Sequence, residues 1–158
     1  MRGDARDERE TVKKDRSGKR LRVLVADDHR MIRRGLRKIM DREPDMEVCG
    51  EAGSAAELLD RLREGGWDVL VLDLALPDRS GLDVLGEVTR DWPEMTVVVF
   101  TMHDDRRYVR RALREGASGY VTKDRAEEIV LAVREAAAGG RFVSPNLSGW
   151  EADGREAE

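Results

Sequence analysis

Acidic, hydroxyl and basic side chains stand at the ends of four short apolar runs of the sequence. Asp27 and Asp28 follow the first run, Asp73 lies in the third, Thr101 closes the fourth and Lys123 follows the last. Three carboxylates in one crevice repel one another unless a cation lies among them, and oxygen ligands on a rigid fold suit Mg²⁺. A carboxylate can also attack phosphorus, and an ammonium and a hydroxyl can hold phosphoryl oxygens. Together these residue types indicate a phosphoryl-transfer site.

Each residue has an ordinary alternative explanation. Two aspartates before a helix commonly form an N-cap, and a lone aspartate after a strand commonly forms a turn. Thr101 has the β-branched side chain typical of strands, and Lys123 is by default a solvated surface charge. The joint pattern favours the site, because the ordinary explanation has to be repeated at every run.

Hydrophobic periodicity predicts the strands and helices that hold these residues. Five apolar runs predict strands, and they are Leu21–Ala26, Met46–Gly50, Val69–Leu74, Thr96–Thr101 and Gly119–Thr122. The segments after them carry apolar residues at helical spacing. Three runs are continuous rather than alternating, which is typical of parallel strands covered on both faces. The sequence therefore predicts an α/β fold, a (βα)5 doubly wound five-stranded parallel sheet whose carboxyl ends share one crevice.

Helix boundaries have their own signals. A capping residue with an acid three positions later predicts helix starts at Ser54, Ser80 and Asp124. Glycine and proline predict helix ends at Gly65-Gly66, Pro93, Gly116 and Gly139-Gly140.

Composition limits the classes of function. The chain has 158 residues and a formal net charge of −4, which argues against a general nucleic-acid surface. A single cysteine, Cys49, permits no intrachain disulfide, and no apolar run is long enough to span a membrane. We therefore expect a cytoplasmic protein with no membrane contact.

Four motifs together resemble the receiver domain of two-component response regulators. They are VLVADDH at 23–29, VLDLALP at 71–77 followed by Gly81, VFT at 99–101, and GYVTKD at 119–124. Asp-Asp-His at 27–29, TMHDD at 101–105 and AGGRFVSP at 138–145 are similar to the NarL/FixJ (LuxR-type) subfamily. The resemblance covers roughly Leu21 to Val143 and implies the flavodoxin-like strand order 2-1-3-4-5.

The resemblance also implies a role for each site residue. Asp73 would accept a phosphoryl group from a sensor histidine kinase, and Lys123 would pair with that group. Mg²⁺ would be held by Asp28, Asp73 and the backbone carbonyl of Ala75, with Asp27 acting largely through water. Thr101 and Tyr120 would form the switch, with the ring of Tyr120 turning inward when Thr101 moves. His29 and His103 are expected to be an exposed helix-start residue and a loop residue near the rim.

Two rival classes of protein fail on the residues themselves. A haloacid-dehalogenase-type phosphatase also phosphorylates an aspartate, but it requires a second aspartate two residues later, where this sequence has Ala75. A nucleotide-binding Rossmann domain requires a glycine-rich loop after the first strand, where this sequence has Asp27, Asp28 and His29.

Ala75 also departs from the subfamily, which often has a polar residue at this position, and this departure predicts an altered phosphoryl lifetime.

The sequence also predicts how the chain is divided and which partners it has. Residues 1–20, with eight basic and five acidic side chains, are expected to be disordered; 21–143 form the receiver domain; 144–158 form a flexible tail or the start of an output linker. The basic first helix and the acidic fifth helix suggest a homodimer. DNA binding would require an output domain beyond residues 1–158, and the alternative is a stand-alone receiver that acts through protein contacts.

Overall fold

The computed structural model describes residues 20–147 and 149–151, in which six parallel strands form one sheet in the order β2-β1-β3-β4-β5-β6. The strands are β1 (Leu21–Ala26), β2 (Met46–Ala52), β3 (Val69–Leu72), β4 (Thr96–Thr101), β5 (Gly119–Thr122) and β6 (Phe142–Val143). The helices are α1 (Arg30–Met40), α2 (Ala55–Glu64), α3 (Gly81–Asp91), α4 (Arg106–Arg114) and α5 (Ile129–Ala137). Short 3₁₀ helices span Lys123–Glu128 and Pro145–Leu147.

Two hydrophobic cores lie on opposite faces of the sheet. Alternate residues of β1 divide between them, with Leu24 in the core beneath α2, α3 and α4 and Val23 in the core beneath α1 and α5. Both side chains are fully buried, as are all four residues of β3. A strand covered on both faces has no polar face, and this is why the central strands are continuous aliphatic runs.

The predicted strand order 2-1-3-4-5 is confirmed, and the sheet carries one strand more than predicted. The short β6 pairs with β5 through Gly119 opposite Phe142 and Tyr120 opposite Val143. Two strand boundaries also differ from the prediction, because β2 continues to Ala52 and β3 stops at Leu72. Asp73 therefore lies just beyond its strand, in the loop that follows.

Two predicted helix starts are confirmed and one is wrong. Helix α3 begins directly after Ser80, although the Ser80 side chain makes no capping hydrogen bond. The Ser54 hydroxyl accepts a hydrogen bond from the Glu57 backbone N–H at 3.1 Å, and Glu57 Oε1 accepts one from Gly53 N–H. This reciprocal pair is a capping box. Asp124, in contrast, lies within the 3₁₀ segment Lys123–Glu128, whose residue Arg125 has non-helical φ and ψ angles, so α5 begins five residues after Asp124.

The tail that we expected to be flexible from residue 144 begins instead with buried residues. Ser144 and Leu147 are 1% and 3% exposed, and the Ser144 hydroxyl donates to Glu128 Oε1 at 2.6 Å. Leu147 and the half-buried Trp150 pack against the same core as Tyr120. The apolar surface that they cover explains why the packed part of the chain extends beyond Val143. The expected disorder of the N-terminal tail concerns residues that, apart from Arg20, lie outside the described ones.

Among residues 20–147 and 149–151, no helix is both long enough and apolar enough to cross a membrane.

Candidate functional site

The carboxyl ends of β1 and β3 bring three aspartates and a histidine together. These strands are direct neighbours in the sheet, and the Asp73 backbone N–H donates to the Ala26 carbonyl at 2.9 Å. One ligand atom from each of Asp27, Asp28, His29 and Asp73 lies within 4.8 Å of the others. Asp27 and Asp73 are buried, whereas Asp28 and His29 face the solvent. The four side chains form a cluster with a buried floor and an open rim.

Lys123 supplies the positive charge at the floor of this cluster. Its Nζ lies 2.6 Å from Asp27 Oδ2 and 3.0 Å from Asp73 Oδ2, and its side chain is only 6% exposed. The contact of Lys123 with Asp73 is a hydrogen bond. Its contact with Asp27 Oδ2 is a close ion pair that lacks hydrogen-bond geometry. Burial alone lowers the pKa of the Lys123 ammonium, but the close contacts with both carboxylates outweigh it and raise the pKa. Lys123 is therefore charged at neutral pH.

The loop after β3 holds Asp73 in place. Asp73 Oδ1 accepts a hydrogen bond from the Ala75 backbone N–H at 3.1 Å, and Ala75 pairs with Ser80 in an antiparallel bridge. The Gly81 N–H donates to the Leu74 carbonyl at 3.0 Å, and a Cβ at Gly81 would lie 2.3 Å from the Leu74 Cα. Only glycine allows the loop to close this tightly.

Asp78 ties the same loop to helix α2. Its carboxylate accepts hydrogen bonds from the backbone N–H groups of Ala55 and Ala56, at 2.8 and 3.0 Å. These two bonds lower the pKa of the Asp78 carboxyl below its usual value. No motif in the sequence pointed to Asp78, because its partners are backbone groups more than twenty residues away.

Thr101 ends β4, and Tyr120 lies on the neighbouring strand β5, where it pairs with Val99 two residues before Thr101. Both side chains are fully buried, and the Thr101 hydroxyl accepts a long hydrogen bond of 3.4 Å from the His103 N–H. The Tyr120 hydroxyl donates to the His103 carbonyl at 2.7 Å, while the His103 ring stacks on Tyr108 at 4.4 Å. The ring of Tyr120 is thus inward in this structure, the orientation that the sequence analysis associated only with the switched state.

His29 has closer contacts with the cluster than the sequence suggested. Its Nδ1 lies 3.0 Å from Asp27 Oδ1 and 3.0 Å from Asp28 Oδ1, and its backbone N–H donates to Asp27 Oδ1 at 2.8 Å. The prediction of an exposed helix-start residue is confirmed, since the side chain is 62% exposed and His29 precedes α1. The nearness of the ring to two carboxylates was not predicted.

A second unpredicted residue, Arg33, supports the cluster from helix α1. Its guanidinium donates to the Asp27 carbonyl at 2.6 Å and to Glu51 Oε1 at 2.8 Å. Arg37 joins the same glutamate at 2.8 Å. These two arginines belong to the basic first helix, for which we predicted a dimer contact, and they are instead paired inside the chain.

The cluster fits a hydrated divalent cation. Three carboxylates against one ammonium leave two negative charges, and a divalent ion would neutralise them. The ligand atoms of the aspartates are oxygens, which Mg²⁺ prefers, and the open rim leaves room for the waters that it keeps. Ala75, whose carbonyl is the predicted backbone ligand, is exposed in the loop two residues after Asp73.

Comparison with known proteins identifies the class to which this fold and site belong. The family model of the response regulator receiver domain matches residues 23–134. The oxygen regulatory protein NreC of Staphylococcus haemolyticus is 35% identical over 130 residues, which are 81% of this chain and 60% of that protein. The transcriptional regulatory protein DegU of Brevibacillus brevis is 28% identical over 130 residues, 82% of this chain and 55% of that protein.

Solved structures give the same result. A LuxR-family two-component response regulator from Aurantimonas sp. SI85-9A1 has a TM-score of 0.80 at 33% identity, covering 87% of this chain and 99% of that one. The receiver domain of the putative response regulator NarL of Mycobacterium tuberculosis has a TM-score of 0.70 at 33% identity, covering 77% of this chain and 98% of that one.

The chain belongs to the response regulator receiver domain family. Within that family it is a receiver of the NarL/FixJ type, and hence a signalling protein of a two-component system. The chain spans about 60% of the length of the NreC proteins that it matches.

Proposed function

We propose that Asp73 is the phospho-acceptor of this receiver and that a sensor histidine kinase supplies the phosphoryl group. The observation that carries the proposal is the contact between Asp73 and Lys123 beside two further carboxylates, at the edge of the sheet where the strands end. A buried carboxylate with one oxygen on an ammonium and the other on a backbone N–H is held in a single orientation. Such fixed orientation is what an in-line attack on phosphorus requires.

In the proposed reaction an oxygen of Asp73 attacks the phosphorus of a phosphohistidine on the kinase. The new O–P bond forms as the P–N bond breaks, and the electron pair of that bond returns to the imidazole nitrogen of the kinase. The product is an acyl phosphate on Asp73. Lys123, already 3.0 Å from Asp73, would then hold a phosphoryl oxygen, and the Thr101 hydroxyl would donate to another.

Mg²⁺ is the proposed cofactor of this step. Asp28, Asp73 and the Ala75 carbonyl would hold it directly, with Asp27 acting through water, as predicted from the sequence. When bound, it would neutralise charge on the phosphoryl oxygens. Lys123 already pairs with Asp27, and this leaves the solvent-facing Asp28 as the aspartate with most freedom to bind a cation.

We propose that Thr101 and Tyr120 form the switch, with one change from the sequence-based expectation. A movement of Thr101 towards a phosphoryl group would pull on the hydrogen bond from the His103 N–H, and the His103 carbonyl holds the Tyr120 hydroxyl. The movement of Thr101 would then be transmitted through the backbone of His103 to the ring of Tyr120, which is already inward. Phosphorylation would therefore shift the β4–α4 loop rather than rotate the Tyr120 ring.

The proposed output is regulation of transcription through a DNA-binding domain outside residues 1–158. A relative carries the name transcriptional regulatory protein, and this chain spans only about 60% of the NreC proteins. The alternative remains a stand-alone receiver that acts by protein contacts, and either protein would act in the cytoplasm.

We also propose a homodimer through α1 and α5, because two of the exposed large apolar side chains, Met31 and Leu131, lie on these helices.

Intact mass spectrometry tests the proposed acceptor. The protein is incubated with Mg²⁺ and acetyl phosphate, beside Asp73→Asn and the matched control Asp60→Asn, which changes an exposed aspartate on α2. We expect one added phosphoryl group on the wild type and the control and none on Asp73→Asn. Absence of phosphate on the wild type, or undiminished addition on Asp73→Asn, would contradict the proposal.

A further inference from the structure

The ring of His29 occupies an unusual position relative to the aspartates. Nδ1 faces Asp27 Oδ1 and Asp28 Oδ1 at the same distance, 3.0 Å. A ring nitrogen carries at most one hydrogen, so it cannot donate fully to both oxygens. Asp27 Oδ1 is also already occupied by the His29 backbone N–H at 2.8 Å. A hydrogen bond therefore accounts for only part of this arrangement.

The distances match those between neighbouring ligands of an octahedral ion. When the bonds to a metal are about 2.1 Å long, ligands at right angles lie about 3.0 Å apart. Both contacts from His29 Nδ1 have this length. His29, Asp27 and Asp28 thus present three donor atoms of which two pairs have octahedral spacing, without any movement of the backbone.

The donor set is mixed in a way that favours a different ion from Mg²⁺. Mg²⁺ prefers oxygen ligands and gains little from an imidazole, whereas imidazole suits Zn²⁺, Ni²⁺ and Cu²⁺. The affinity of such sites also rises along the first-row series towards these ions. The two uncompensated negative charges of the cluster suit any divalent ion equally, so the ring is what distinguishes one ion from another.

We infer that His29 Nδ1 is a metal ligand that makes the cation site of this receiver bind Ni²⁺ and Zn²⁺ more tightly than Mg²⁺. The inference rests on the proposed cation site and changes its ligands for these ions, because His29 is added and Asp27 binds directly rather than through water. Asp28 and His29 face the solvent and are within reach of an arriving ion, while Lys123 fixes Asp27 and Asp73 behind them. His29 and His103 are the two histidines of the whole sequence, so His103 is the one other imidazole that could bind such an ion.

Calorimetric titration of the full untagged chain with Ni²⁺, and separately with Mg²⁺, tests this inference. His29→Ala and His29→Asn remove the ring, and the asparagine retains a residue suited to a helix start. His103→Ala is the matched control, because it removes the other imidazole. We expect both His29 variants to bind Ni²⁺ about tenfold or more weakly, since a lost ligand costs at least the effect of a lost supporting contact, and Mg²⁺ binding to stay within about twofold.

Three results would overturn the inference. They are Ni²⁺ affinity unchanged in both His29 variants, an equal loss in His103→Ala, or Ni²⁺ binding that survives Asp28→Asn undiminished. Labelling with acetyl phosphate in Mg²⁺ on the same wild-type protein separates this inference from the proposed function. If labelling fails while the Ni²⁺ affinity still depends on His29, the phospho-acceptor proposal is wrong and the metal ligand stands.

Discussion

Lys123 compensates one of the three negative charges of the carboxylate cluster. Its ammonium contacts two carboxylates whose side chains, like its own, are almost completely buried. A buried charge that loses its partner costs several kcal/mol, because neither water nor another charge replaces the lost contact. The stability of the floor of the site therefore depends on this single side chain when no metal ion is bound.

Replacing Lys123 by methionine should destabilise the metal-free protein strongly. We expect Lys123→Met to lower the free energy of unfolding by about 3–5 kcal/mol, the usual effect of removing one partner of a buried ion pair. Urea unfolding in the presence of EDTA measures the change, with Lys123→Arg as the control that keeps the charge. Stability equal to that of the wild type would show that the ammonium does not balance Asp27 and Asp73.

Ala75 should influence how long the phosphoryl group persists. Its methyl group is exposed in the loop beside Asp73 and offers no hydrogen bond. We expect Ala75→Asn to slow autodephosphorylation roughly two- to tenfold, which corresponds to one added hydrogen bond of about 0.5–1.5 kcal/mol. The loss of the phosphoryl mass with time gives the rate, and a rate equal to that of the wild type would refute the role of residue 75.

At the level of single residues, the sequence predicted which side chains form the site but not the contacts among them. Asp27, Asp28, Asp73 and Lys123 were found because each ends or follows an apolar run, and parallel strands bring such ends together. The nearness of the His29 ring to two carboxylates could not be predicted, since it depends on a side-chain orientation before α1. The same is true of the inward ring of Tyr120, which is held by a backbone carbonyl seventeen positions away.

Glu51, at the end of β2, joins that strand to helix α1. It accepts hydrogen bonds from Arg33 and Arg37, and Arg33 in turn donates to the Asp27 carbonyl. Burial alone raises the pKa of the Glu51 carboxyl, but the two arginines outweigh it and hold the pKa below its usual value. The ionised glutamate therefore stabilises the end of β1, from which the cluster of aspartates follows.

Removing this charge should produce a pH-dependent loss of stability. We expect Glu51→Gln to lower the free energy of unfolding by about 1 kcal/mol at pH 7. Because the folded-state pKa is depressed, the loss is full above the ordinary glutamate pKa of about 4.3 and disappears as the pH falls through the lower folded value. Urea unfolding at several pH values measures it, with the exposed Glu94→Gln as control. A loss independent of pH would contradict the role of the charge.

At the scale of elements, local signals worked where the local partner was the real one. Ser54 was found because its cap partner, Glu57, lies within the same turn. The helix start predicted at Asp124 is wrong, because an acid three positions after a capping residue also occurs in a 3₁₀ segment. Residues 123–128 form such a segment after β5, and Arg125 within it has non-helical φ and ψ angles. Asp105, which caps α4 by accepting the Arg107 N–H at 2.8 Å, was missed because no acid follows three positions later.

The two faces of the whole molecule differ in what they expose. One carries α1 and α5, with Met31 and Leu131 exposed at 73% and 49%. On the other, the chain after β6 packs Leu147 and Trp150 against the core that contains Tyr120. Periodicity predicted five parallel strands with both faces covered, whereas the resemblance to receiver domains implied the strand order. Periodicity could not predict the packing after Val143, because one leucine and one tryptophan form no periodic pattern.

Self-association through α1 and α5 should depend on the arginines of α1 that face the solvent. Arg33 and Arg37 are unsuitable for this test because they pair with Glu51. We expect Arg30→Glu/Arg34→Glu to weaken a dimer by placing acids opposite the exposed Glu135 of α5 in the partner copy. Sedimentation equilibrium measures it, with Arg63→Glu on α2 as control, and an unchanged oligomeric state would contradict the proposed interface.

The role of Asp73 as phospho-acceptor is tested most directly by locating the phosphoryl group on the chain. The protein is phosphorylated with acetyl phosphate and Mg²⁺ and treated with borohydride, which reduces an aspartyl phosphate to homoserine, and its peptides are sequenced by mass spectrometry. We expect reduction at position 73 alone. Reduction at Asp27 or Asp28, or a phosphoryl group found on His29 with Asp73 unchanged, would contradict it.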